Sequence, residues 1–410
     1  MNIQDTKNLF STVAAKEGNE KWEAATSRVT PIPAREDDIR TPFGRDYTRI
    51  LHSRGYRRLK HKTQVFFAPE NDHICTRSEH VSHVESVSFT IAEHLGLNSE
   101  LTRAIATGHD MGHAPFGHLG EKILNKIAEK ELGEKFWHEK NGLFFADNIE
   151  LLSDYRDNLC NLNLTYAVRD GIISHCGEVN QNSVIPRKEN IPLEEIAHAN
   201  QFQPFTWEGC VVKICDKISY LGRDIEDAVT LKLLTEADLD ELKNHAIAVF
   251  GENSLYKINT TNLIHLFVYD LCRNSSPEKG LTFSQPVYEL MREIMAFNYK
   301  NIYLCEKLQF YSSYAESVIN TVFELLYSLY DGENTFENFK NSSKTYPQIV
   351  AEFSGWLSVY ALMPQRWEKL KNRPVFDISK KEDYARAIIC YISGMTDQYL
   401  KKLHSSIYSF

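Results

Sequence analysis

Hydrophobic positions recur at helical spacing along most of the chain. Val84, Val87, Ile91 and Leu95 follow one another at steps of three and four, and Leu101, Ala104 and Ile105 resume after Gly96-Leu97-Asn98. This is the pattern of two amphipathic helices meeting at a short turn, with Asn98 suited to open the second. Val211, Ile214, Ile218, Leu221, Ile225 and Ala228 predict another helix over about 209–230. The same period continues through 255–275, 284–310, 314–330, 346–362 and 380–404. Alternating patterns are scarce, and Thr63-Gln64-Val65-Phe66-Phe67 is the best strand candidate. The pattern predicts an all-α protein: a polar lead-in over 1–39, a catalytic half over 40–235 and a helical lobe over 236–410 packed on it as one compact unit. The Asn-, Gln- and Pro-rich stretch 178–206 reads as an excursion between core helices, a lid or an oligomer contact.

Composition narrows the partners. With 42% hydrophobic and 25% charged residues, the 410-residue chain can bury an ordinary core. A formal net charge of -9 gives no overall positive field to hold nucleic acid, so a polyanionic substrate has to be met by a local patch or a metal. Residues Arg57-Arg-Leu-Lys-His-Lys62 are such a patch, although a basic run is more often a solvated face. The eight cysteines form no Cys-x-x-Cys pair, which suits reduced thiols in the cytoplasm. No apolar run approaches the roughly 18 residues of a membrane span.

The densest chemical signal is Gly108-His-Asp-Met-Gly-His-Ala-Pro-Phe-Gly-His-Leu-Gly-Glu121, in which three histidines and two carboxylates crowd around glycines and a proline. Adjacent side chains on a helix diverge by about 100°, so His109 and Asp110 can both reach one ion lying between them. The glycines and Pro115 let the chain turn back and bring His113 and His118 to the same place. A mixed nitrogen and oxygen set without thiolate suits Mn, Fe, Co, Ni or Zn and argues against a closed structural zinc site. His80, opening a helix, and Asp216, interrupting an apolar stripe, are candidates to complete it. An ionised Asp beside a core stripe costs several kcal/mol unless it is paired or metal-bound. Tyr220 and Asp224 follow Asp216 at steps of four on its face.

The spacing His…His-Asp…Asp, together with several longer segments, resembles the HD-domain metal phosphohydrolases, and within them the deoxyguanosine triphosphate triphosphohydrolase-like enzymes. The matching segments include Arg40-Thr-Pro-Phe-Gly-Arg-Asp-Tyr, Gly55-Tyr-Arg-Arg-Leu-Lys-His-Lys-Thr-Gln-Val65, Thr76-Arg-Ser-Glu-His80, the 108–121 segment, His138-Glu-Lys-Asn, Asp216-Lys-Ile-Ser-Tyr-Leu-Gly-Arg-Asp and Tyr391-Ile-Ser-Gly-Met-Thr-Asp-Gln-Tyr399. They stand in family order across nearly the whole chain. The resemblance implies a helical HD core and a divalent metal, Mn or Mg before Fe, Co, Ni or Zn, on His80, His109, Asp110 and Asp216. It implies a His118–Glu121 acid–base pair supported by His113 and His138, and a phosphate contact from Arg77. Gln64, Tyr220 and Asp224 match positions around the deoxyribose, and Lys300 and Tyr303 match later substrate contacts. One position departs from the pattern: His83 stands where the family usually has glutamate.

The implied reaction is hydrolysis of a deoxynucleoside triphosphate at the α-phosphorus to deoxynucleoside and inorganic triphosphate, with the metal activating water and His118 giving a proton to the leaving 5′-oxygen. A homo-oligomer and an allosteric nucleotide are further implications. Competing readings are a deoxynucleotide monophosphatase, a guanosine tetraphosphate hydrolase, or a non-catalytic nucleotide sensor. The segments at 40–65 and 391–399 favour the triphosphohydrolase, because short HD hydrolases are not expected to carry them. His175, in Ile172-Ile-Ser-His175, reads as a packing residue.

Overall fold

The computed structural model of the chain describes residues 2–31, 39–67, 71–176, 182–250 and 258–409. Among these the protein is all-α: seventeen α-helices, and only two antiparallel pairs of short strands, Leu151–Ser153 with Leu159–Asn161 and Ser183–Val184 with Leu281–Thr282. The chain divides into two units of interleaved segments. The first comprises Met1–Thr48, Pro69–His109 and Leu164–Gln309, and the second Arg49–Ala68, Asp110–Asn163 and Phe310–Phe410. The boundary expected near residue 235 falls inside the first unit.

In the first unit the expected helix pair is Arg77–Leu95 and Ser99–Gly108. Thr76 and Glu79 exchange side-chain and backbone hydrogen bonds at its start, a capping box that satisfies two otherwise orphaned N–H groups. Gly96 ends the first helix in the left-handed conformation (φ 78°), and the Asn98 side chain accepts from Leu101 N–H at 3.1 Å to open the second. Helix Trp207–Thr230 is the axis of the unit, packed by Arg77–Leu95, Ser99–Gly108, Tyr166–Ser174, Thr260–Asn274 and Gln285–Asn298. Neighbours on several sides explain why Cys210, Val212 and Cys215 are buried along with the expected stripe.

Two sequence expectations change here. The polar lead-in is anchored: Phe10, Ala14 and Ala15 are buried, and the N–H groups of Asn8 and Phe10 donate to the His94 and Leu95 carbonyls at 2.9 Å. Buried Glu208 accepts from Ala15 N–H and Asn98 N–H, joining lead-in and helix turn through one carboxylate. The stretch 178–206 is no loose lid over its described part, 182–206. Arg187 pairs with buried Asp170 at 2.5 Å and bonds Tyr166, while Asp170 accepts from Phe205 N–H. Residues 177–181 lie outside the described residues.

In the second unit Gly117–Leu132 packs on Lys381–Ser393, and Pro347–Tyr360 packs on Lys381–Ser393 and Asp397–Tyr408. Phe339, Phe353, Trp356, Tyr384 and Tyr391 fill the centre, with Phe353 and Tyr391 rings 5.1 Å apart. The buried hydroxyls of Tyr360 and Tyr384 are satisfied by the carbonyls of Ile149 and Leu326. Thr63–Phe67 is irregular rather than a strand. The Thr63 N–H is taken by the Asp397 carboxylate instead of a ladder partner. The basic run also divides: Arg58 pairs with Glu150, and Lys62 is buried, donating to the carbonyls of His113 and Ser393.

The turn after Asp110 packs backbone to backbone against helix His138–Phe144. A Cβ on Gly112 would lie 2.1 Å from both Gly142 N and His138 O, and neither atom can give way as a flexible side chain could. Gly112→Ala is therefore expected to cost at least about 3 kcal/mol, read as a lowered melting temperature by calorimetry or circular dichroism.

Candidate active site

Two helices and two helix ends in the first unit bring their functional side chains together. His80 is held at the start of its helix by the Thr76–Glu79 cap. His109 and His175 occupy equivalent places, each just past the last turn of a helix, Ser99–Gly108 and Tyr166–Ser174. In both, Nδ1 lies against the carbonyl three residues back, Ala106 O at 2.6 Å and Ile172 O at 2.8 Å. A carbonyl only accepts, so Nδ1 carries the proton and Nε2 presents its lone pair. Asp216 projects from the axial helix: its Oδ1 is 2.9 Å from His80 Nε2 and 3.9 Å from His109 Nε2. Ligand atoms of His109, His175 and Asp216 all lie within 4.8 Å of one another.

Burial by itself would raise the Asp216 carboxyl. The His80 hydrogen bond leads in outweighing it, the three imidazoles add favourable charge when protonated, and the group is held well below the usual carboxylate range. An ionised carboxylate among imidazoles whose Nε2 atoms converge is the donor set a divalent cation takes, and the absence of thiolate fits an open, catalytic type of centre. Asp110 follows His109 directly in the chain. His175 belongs to this cluster, which its reading as a packing residue missed. The signal was available, since a histidine closing an apolar helix repeats the arrangement at His109.

A second polar group lines the same helix. Asp224, two turns beyond Asp216, is buried and accepts from the Tyr303 hydroxyl at 2.5 Å. Burial raises its carboxyl to about 7, although the Tyr303 bond and the charges of His80 and Arg77 oppose the shift. Arg77 is almost wholly buried, one turn before His80. Tyr220 lies between Asp216 and Asp224 on the axial helix, close enough to Tyr303 to help keep its hydroxyl protonated. Lys300 shares the π-helical turn Tyr299–Tyr303 but stands exposed. His83 is half-buried, its Nδ1 has no hydrogen-bond partner among the described residues, and burial, Arg223 and His80 lower its pKa.

In the second unit His113, His118 and His138 form a compact cluster with Asp110 and Glu121. His113 Nε2 lies 3.0 Å from Asp110 Oδ1, and the His113 ring stacks on His138 with centroids 3.7 Å apart. His118 and His138 both direct Nδ1 at Glu121 Oε2, at 3.3 and 3.1 Å, and His138 N–H donates to Glu121 Oε1. Burial pushes the Glu121 carboxyl up, but the His138 charge and the bonds from His118 and His138 prevail and keep it ionised. His118 is 67% exposed while His138 is buried, so one carboxylate holds one accessible and one inaccessible imidazole. Gln64 is half-buried in the irregular segment after Thr63.

Residues 77–221 match the HD domain family. The deoxyguanosinetriphosphate triphosphohydrolase-like protein of Caldanaerobacter subterraneus subsp. tengcongensis is 34% identical over 388 residues, covering 94% of this chain and 91% of the relative. The protein of the same description from Desulfatibacillum aliphaticivorans is 35% identical over 68% of this chain and 72% of its own. That from Clostridium tetani is 32% identical over 92% and 88%. At this identity, over most of both chains, the chain belongs to the deoxyguanosinetriphosphate triphosphohydrolase-like family of HD-domain proteins.

Proposed function

We propose that this protein is a metal-dependent triphosphohydrolase that cleaves deoxynucleoside triphosphates to deoxynucleoside and inorganic triphosphate. The observation that carries the reading is the convergence of His80, His109, His175 and the ionised Asp216 in the first unit. His80, His109 and Asp216, with Asp110 as the next residue in the chain, would hold the cation, Mn or Mg before Fe, Co, Ni or Zn. When bound, a divalent cation supplies Lewis-acid polarisation of a phosphoryl oxygen and acidifies water.

The chain's own residues do the rest. Arg77 is placed one turn from His80 and meets phosphate charge with a planar, permanently charged fork. Glu121 fixes the orientation of His118 and His138, and exposed His118 gives a proton to the departing 5′-oxygen, a poor leaving group as an alkoxide. His113, stacked on His138 and bonded to Asp110, keeps that relay in line. Asp224 with Tyr303, and Tyr220 beside them, form a polar clamp for a sugar hydroxyl; Gln64 and Lys300 are taken as substrate contacts on the strength of the family alone. The eight free cysteines fit work in the reducing cytoplasm. Among the described residues no helix is long and apolar enough to cross a membrane. A homo-oligomer and an activating nucleotide complete the proposal on the strength of the family alone.

Phosphorus NMR of each dNTP and NTP incubated with the protein and Mn or Mg tests the reaction. Triphosphate is expected from dNTPs; pyrophosphate with a monophosphate would overturn the choice of bond, and no turnover of any nucleotide would overturn the activity. Asp216→Ala is expected to lose bound metal by mass spectrometry and activity together. His118→Ala should keep its metal while kcat falls by about 10² to 10⁴.

The Asp224 carboxyl gives a separate pH test. Its folded pKa, about 7, lies above the ordinary 3.8, so its contribution to stability is complete below pH 3.8 and is lost as pH rises through 7. Asp224→Asn removes that loss. The variant's melting temperature relative to the parent should rise by at least about 2 °C between pH 5 and pH 8, and a flat or falling difference would contradict the assignment.

A further inference from the structure

The segment 391–399 has so far only a resemblance to explain it, yet two of its residues grip the turn that carries the catalytic histidines. Asp397 is buried, and its two oxygens serve different stretches of backbone within the second unit. Oδ1 accepts from Phe116 N–H at 3.0 Å, and Oδ2 accepts from Thr63 N–H at 3.1 Å and from the Thr63 hydroxyl. One carboxylate thereby links the residue before Gln64 to the residue two before His118. Ser393 supplies the other hold. Its carbonyl accepts from Lys62, which also donates to His113 O, and its hydroxyl bonds Asn141, which donates to Gly112 O at 2.7 Å.

The turn needs such restraint. Phe116 adopts a left-handed conformation (φ 64°, ψ 23°), which costs a residue with a Cβ roughly 1–2 kcal/mol. Such a conformation persists only where its surroundings over-determine it. Here the Gly112 and His113 carbonyls and the Phe116 N–H are each fixed by a side chain from elsewhere in the unit. The Asp397 charge is itself favoured at the first turn of helix Asp397–Tyr408.

We propose that Asp397 is a positioning residue for the reaction: its carboxylate sets the register between Gln64, on the sugar side, and the turn bearing His113 and His118. This rests on the proposed dNTP hydrolysis for its kinetic consequences and on geometry alone for its structural ones. Loss of the clamp disturbs both ends together, so proton transfer slows and the preference for deoxyribose over ribose weakens.

The test compares Asp397→Asn, Thr63→Val and, as a control on the exposed face of the same helix, Lys402→Ala. An amide at 397 turns one acceptor into a donor facing N–H groups, whereas Thr63→Val removes one bond of three. In Asp397→Asn, kcat for dNTP is expected to fall about 10- to 100-fold, with a reduced dNTP-to-NTP ratio of kcat/KM and unchanged bound metal. Hydrogen exchange of the amides over 111–118 should quicken by about tenfold while that of 80–95 stays as in the parent. Thr63→Val should shift each quantity the same way by less, and Lys402→Ala none. A folded Asp397→Asn protein with parental exchange over 111–118 would overturn the clamp. Slowed turnover with an unaltered dNTP-to-NTP ratio would overturn the coupling. Should Asp397→Asn fail to fold, Thr63→Val decides by the same readouts, and parental values in it refute the proposal. If the parent turns over no nucleotide, the activity reading has failed, and the exchange measurement still decides the clamp.

Discussion

A carboxylate in the middle of the axial helix of the first unit has to be compensated, and much of the site's local architecture follows from that requirement. Asp216 follows Ile214 and Cys215, both buried, on a helix surrounded by five others. Left alone there it would take up a proton and become a neutral, weakly coordinating acid. Three imidazoles from three other helices prevent this. Two of them are presented by the same local device, a helix ending one residue early so that the ring can turn back onto the carbonyl of its own last turn. Electrostatic compensation and ligand presentation are here one arrangement.

Glu121 is the second unit's counterpart. It too is kept ionised by imidazoles, but it is shared between one accessible histidine and one enclosed histidine. The two carboxylates are both held among imidazoles and differ in which ring nitrogens face them. Asp216 sits among rings whose Nε2 atoms point inward, as suits a cation, whereas Glu121 is approached by Nδ1 atoms, which leaves the far nitrogen of His118 available to a substrate.

The sequence pointed to these clustered side chains more readily than to the packing around them. The three- and four-residue spacing of Val84 to Ile105 and of Val211 to Ala228 places the helices correctly because burial on a helix leaves a periodic trace. His80, His109 and Asp216 were legible because their types are costly in an apolar context without a purpose. His175 was not, since a single histidine closing an apolar helix has an ordinary packing explanation. The anchoring of the lead-in was invisible for another reason: it depends on Glu208 reaching two backbone amides, at Ala15 and at Asn98, a side-chain contact over nearly two hundred residues that leaves no local pattern. Thr63–Phe67 misled in the opposite direction. Its β-branched and aromatic residues suit a strand, but the Asp397 carboxylate claims the backbone donor that pairing would have used. The unit boundary was hidden because it depends on which segments pack together, not on any change in composition along the chain.

Phe116 gives these observations a mechanical sense. Its backbone is bent into the turn that carries His113 and His118, while its ring enters the aromatic core of the second unit, 6.2 Å from Phe67 and 6.0 Å from Tyr311. Glycine would accept the bend without strain and forfeit the anchor; any other residue keeps the strain and alters the anchor. The shape of this histidine-bearing turn and the filling of the hydrophobic interior are thus fastened to one rivet, and neither can drift in evolution or be redesigned without carrying the other along.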